Sequence, residues 1–165
     1  MSDTYVECLV KAKTSTIAVL FKFALIAVAV TCGIGAFLGI PFVFFGMLLA
    51  GAGAYFVNMF TDIEYEYLYV DRELVVDKVM AKSRRKRVDT YSLDRMEILA
   101  PVKSHQLDSY KNRSVKVKDY SIGQELQPDQ RYAMYYEGGL KVILSPSPEL
   151  IKAIKNASPR KVFSD

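Results

Sequence analysis

The chain has 165 residues, 51% of them hydrophobic and 24% charged, with a formal charge of +4. That length gives room for one ordinary domain and something extra. Its two cysteines and one histidine exclude a disulfide framework and a Cys/His metal site, and Cys8 and Cys32 read as reduced structural thiols.

The averages conceal a segregation. From Ile17 to Phe60 the only charged side chain is Lys22, and Asp3 and Glu7 are the only acids before Asp62. Residues 1–15 read as a cytoplasmic or interfacial segment, in which Tyr5, Val6, Leu9 and Val10 predict a short interfacial helix over Tyr5–Lys13. The apolar block that follows is too long for one bilayer crossing and suits two, each of about 20 residues. Gly39-Ile40-Pro41 breaks it, because Pro41 restricts the residue before it and lacks a helical donor. A transmembrane hairpin over 16–61 is expected, with helices at 16–38 and 41–60. A signal peptide is excluded by the length of apolar chain before Ala52-Gly53-Ala54, and a buried soluble hairpin would need a polar stripe that neither helix has.

"TCGIGAFLGIPFVFFG" comes close to a dinucleotide-binding glycine loop, but its third glycine is one place late and Asp62 lies beyond a second apolar helix. Small residues have another use between helices in lipid, where they let two backbones approach. Gly33, Gly35 and Gly39 supply such a surface on the first helix; Gly46, Ala50 and Ala54 supply it on the second, at four-residue spacing. The same residues leave a homo-oligomer open as a partner. Lys22, early in the first helix, is expected to reach back towards the headgroups. Lys11, Lys13 and Lys22 on one flank and Arg72 and Lys78 on the other, with no Lys or Arg between the helices, place both termini in the cytoplasm.

After Thr61 the period changes to two. "IEYEYLYV" alternates tyrosines with Glu64, Glu66 and Leu68; "ELVVDKVM", "KRVDTYSL" and "RMEILAP" follow as short β-rich runs. Ser104–Arg113 reads as loop, "SVKVKDYS" as a half-exposed strand and Ile122–Gln130 as another loop. "RYAMYYEGGLKVIL" is a hairpin around Glu137-Gly138-Gly139. Ser147, Pro148 and Glu149 then open a helix over 148–157 whose Leu150, Ile151 and Ile154 form an apolar stripe.

Seven strands and one C-terminal helix in that order resemble the pleckstrin-homology-like (PH-like) fold. The segments "YVECLVKAKTS", "GIPFVFFGMLLAGAGAYF", "EYEYLYVDREL", "VMAKSRRKRVDTYSLDRMEILAP" and "ELIKAIKNASPRKVF" make nearly the whole chain similar to an uncharacterised family of small clostridial-type membrane proteins. That resemblance implies an α+β membrane protein. It would have a two-helix transmembrane hairpin and, over 62–165, a cytoplasmic seven-stranded antiparallel PH-like barrel capped by its last helix.

No constellation for catalysis stands out. His105 is alone, the acids are scattered, and no serine sits in a nucleophile elbow. No enzyme, metal or cofactor is therefore expected. The strongest feature is basic: Lys78, then Lys82, Arg84, Arg85, Lys86 and Arg87, read as a hairpin tip between the second and third strands after Thr61. Phosphoinositide-binding pleckstrin-homology domains carry their basic signature in the first hairpin instead. Such a tip feels an anionic leaflet at about 1 kcal/mol per cation, or it is a solvated turn leaning on Asp77 and Asp89. The tyrosines read as core residues, which argues against nucleic acid. These features point to a non-enzymatic membrane-anchored binding or adaptor module, its partners the bilayer, anionic headgroups and an unknown protein. A subunit of an oligomeric channel or transporter is the alternative.

Overall fold

The computed structural model describes residues 5–12, 14–122 and 129–164. Lys13 and most of the loop expected over Ile122–Gln130 lie outside them. The chain forms two compact units: one comprises residues 1–13, 64–79 and 85–165, the other residues 14–63 and 80–84.

The helical unit contains α1 (Thr16–Phe37) and α2 (Val43–Thr61). No residue of α1 is buried, and in α2 only Ala50 and Thr61 are. Ile17, Phe37 and Phe42 are 80%, 93% and 84% exposed, the reverse of a soluble core helix. The connection turns at Gly39, where φ is +94°, a conformation that a side chain opposes.

In the other unit the residues expected to form an interfacial helix form a strand instead, β1 (Val6–Lys11). It pairs antiparallel with β2 (Ile63–Val70), Val6, Cys8 and Val10 lying opposite Tyr69, Tyr67 and Tyr65. Period two was already present in "VECLVK": apolar Val6, Cys8 and Val10 meet the tyrosine face, which no helix could cover in that register. The sheet continues with β3 (Glu73–Met80) and β4 (Arg84–Ser92) in the order β1-β2-β3-β4.

A second sheet has the order β5-β7-β8-β6, built from β5 (Met96–Pro101), β6 (Lys116–Asp119), β7 (Tyr132–Tyr136) and β8 (Leu140–Leu144). The seven-stranded antiparallel barrel is therefore corrected: the described residues form eight strands in two sheets, and β6 runs parallel to β8. Closure fails because β4 and β6, the last strands of their sheets, are not paired with each other.

Tyr67, Leu74, Val76, Met134, Val142 and Leu144 fill the main core together with Leu150 and Ile154 of α3 (Pro148–Ala157). Ser147 Oγ accepts from Leu150 N at 3.2 Å, capping the first turn of α3. A smaller cluster, Ile98, Ala100, Leu107, Ala133 and Tyr135, lies beneath the 3-10 turn His105–Tyr110. β5 and β7 are thus buried on both faces, which is why "ILA" and "YAMYY" show no polar alternation. Gly138 and Gly139, at φ +88° and +73°, make the β7–β8 turn.

Candidate functional site

The basic stretch is not one tip of free cations. The β3–β4 turn is made by Ala81 and Lys82, both at positive φ, and closed by Ser83 N donating to Met80 O at 3.2 Å. β4 begins at Arg84, so Arg85, Lys86 and Arg87 are strand residues. Two of them are already engaged: Arg85 Nη2 donates to Glu66 Oε1 at 2.7 Å, and Arg87 Nε lies 3.6 Å from Asp77 Oδ1. The carboxylates are the buried partners, their side chains 2% and 7% exposed, while the arginines stay more than half exposed. A buried acid needs a cation beside it, and alternate positions on β4 supply one each. Lys78, half-buried on β3, and exposed Lys82, Arg84 and Lys86 have no carboxylate partner among the described residues.

Burial pushes the Glu66 carboxyl up, the Glu7 carboxyl beside it adds to the effect, and Arg85 offsets part of it. Glu7 moves the opposite way, held down by its hydrogen bonds with Glu66 and Tyr5. Glu66 Oε2 is buried without a hydrogen-bond partner among the described residues, in keeping with the upward shift that burial imposes on this carboxyl.

Asp89, expected beside the basic residues, faces another strand. Lys118 Nζ donates to Asp89 Oδ2 at 2.6 Å and Tyr91 OH at 3.0 Å, and Tyr120 OH donates to the same oxygen. Side chains thereby tie β4 to the β6 segment where no backbone ladder does. Nothing local in the sequence signals this, because the partners come from separate strands. Burial raises the Asp89 carboxyl, but the bonds from Lys118, Tyr120 and Tyr91 outweigh it and leave a net depression. A depressed acid contributes stability that is present above its unfolded value, about 3.9, and lost as pH falls through the folded one. Asp89→Asn is expected to lower the urea midpoint at pH 7 and to flatten the loss of stability as pH falls below about 4. An unchanged acid limb would assign it to other groups.

In the helical unit the small residues divide by role. A Cβ on Gly33, Gly35 or Gly46 would lie 3.3 Å from Met47 Sδ, Val43 Cγ1 or Cys32 Sγ, so these three mark the close approach of α1 and α2. Ala50 is buried and Ala54 half-buried. Gly39 meets nothing within 4 Å and belongs to the turn, not to the packing. Gly53, whose Cβ would lie 3.5 Å from Leu25 Cδ1, was missed. Lys22 does not simply reach back along its own helix: its Nζ donates to Asn58 Oδ1 at 2.6 Å, across to α2.

A cavity of about 660 Å³ is lined by Tyr132, Pro146, Pro148, Ile151 and Lys152, and its carboxylate, Asp129, is bound twice by Arg131 at 2.8 Å. His105, fully exposed, lies 3.6 Å from Asp108. No group of three His, Cys, Asp or Glu among the described residues could hold a metal ion.

Two four-stranded sheets with a C-terminal helix packed into their core, and a basic strand at one edge, define a PH-like module. The chain belongs to the family described as a bacterial PH-like domain (DUF6106), which matches residues 2–164. No curated protein and no solved structure matches it.

Proposed function

We propose that this protein is a membrane-anchored binding module: α1 and α2 cross the bilayer as a hairpin, both termini are cytoplasmic, and the PH-like domain works at the inner leaflet. The observation that carries this reading is in the helical unit. Ala81 N donates to Asp62 O at 2.8 Å, so the β3–β4 turn sits at the C-terminal end of α2, where an apolar helix leaves the hydrocarbon. Lys82 and Arg84 are then at headgroup height and free to meet anionic lipid. Helices of 22 and 19 residues are about 33 and 28 Å long, matched to a hydrocarbon core of about 30 Å.

Full-length protein is expected to pellet with membranes, to resist alkaline carbonate and to dissolve in detergent. In nanodiscs, amide exchange over residues 81–84 is expected to slow when phosphatidylserine is added to phosphatidylcholine. The protection should disappear in the Lys82→Glu/Arg84→Glu variant and at about 1 M salt, where the Debye length falls to about 3 Å. Protein found in the detergent-free supernatant ends the anchoring proposal. Equal exchange in the two lipids ends the leaflet contact and leaves the anchor standing.

A further inference from the structure

Among the described residues no strand is paired with the outer edge of β4. β4 is the last strand of its sheet, and the backbone of Arg85–Ser92 makes no bond to another element than β3 among the described residues. β6, brought close by Lys118 and Tyr120 on Asp89, is the last strand of the other sheet. Along these two edges Val88 and Val117 are 39% and 55% exposed, among the few large apolar side chains that the sheets leave uncovered. Lys86 and Lys116 are exposed and lack a carboxylate partner among the described residues; Arg85 and Arg87, though paired, are still 57% and 68% exposed.

An unpaired strand edge is a template for another extended chain. The charge selects which one. A second copy would set its own Arg-Lys-Arg run against this one, and like charges opposite each other across a ladder repel. We propose that the β4 edge captures an extended acidic segment of a partner protein by strand addition. Partner backbone fills the open donors and acceptors, carboxylates on one face of the added strand meet the exposed faces of Arg85 and Arg87, and the apolar side chains on its other face cover Val88 and the stem of Lys86. This rests on the reading of the domain as a binding module, and not on lipid contact by Lys82 and Arg84.

The test uses full-length protein in nanodiscs of uncharged phosphatidylcholine. The probe is a fluorescein-labelled peptide of alternating Glu and Val, about eight residues long. A second peptide of the same sequence, N-methylated at alternate residues, keeps the charge but cannot complete a ladder. Saturable binding is expected for the first peptide only, with slowed amide exchange over Arg85–Thr90 and an affinity loss of about tenfold when the peptide's glutamates are replaced by glutamines. Equal binding of the N-methylated peptide would reduce the site to bulk charge and overturn strand addition. So would no binding of the first peptide, or unchanged exchange over Arg85–Thr90. The Lys82→Glu/Arg84→Glu variant should bind the peptide normally, so failure of leaflet contact and failure of strand capture read out separately.

Discussion

A fragment starting at Asp62 is expected to be poorly folded and aggregation-prone, whereas a chain that joins Lys11 to Glu64 through a two-residue Asn-Gly turn should fold as a water-soluble domain. The reason is β1. Lys11 and Glu64 are partners in the antiparallel ladder, so the whole helical hairpin occupies the place of a β-turn. Starting at Asp62 strips β2 of its neighbour and uncovers the face of Tyr65, Tyr67 and Tyr69 against which buried Val10 and half-buried Val6 and Cys8 pack. The lost burial is on the order of 3–5 kcal/mol, a large share of the stability of a domain this size. Chemical denaturation and size-exclusion chromatography of both proteins decide the matter, and equal stability would mean that β1 contributes nothing.

The second large effect is at Tyr67, which is fully buried. Its hydroxyl donates to Tyr120 O at 2.5 Å and accepts from Ser145 N at 3.3 Å, binding the first sheet to segments that follow β6 and β8. Tyr67→Phe keeps the ring but leaves a buried carbonyl and a buried N–H unpaired, at about 1–3 kcal/mol. Tyr67→Ala also opens a cavity and should cost about 3–5 kcal/mol or more. Burial pushes this phenol far up, so the folded chain keeps its proton at pH values where the unfolded chain has lost it. Stability is therefore full below the unfolded value, about 10, and falls as pH rises beyond it. Tyr67→Phe removes that phenol's part of the alkaline loss, while Tyr91 and Tyr120, also raised by burial, retain theirs. Urea midpoints at pH 7 and pH 11 test both statements; a Phe variant as stable as the parent would show that the hydroxyl bonds carry no weight.

Local pattern was enough for the elements that bury one face and turn where the chemistry demands it. The break at Gly39, the tyrosine alternation of β2, the turn at Gly138-Gly139 and the Ser147 cap of α3 are each written within a few residues. β1 was misread because "YVECLVK" is short, carries apolar residues at both spacings, and is separated from its partner strand by two helices. Closure into a barrel was assumed from strand order, yet order says nothing about whether β4 and β6 meet. Among the cations, composition placed the cluster but could not separate Arg85 and Arg87, bound to acids on β2 and β3, from Lys82, Arg84 and Lys86. That division depends on strand pairing over long stretches of chain.

The pairing of Lys11 with Glu64 also sets a rule of parity. A polypeptide that departs from one rung of a ladder and returns to the same rung has to traverse any lipid barrier an even number of times, whatever the distribution of positive charge around it. If the two helices span a bilayer as proposed, neither can insert without its companion unless the N-terminal rung is forfeited.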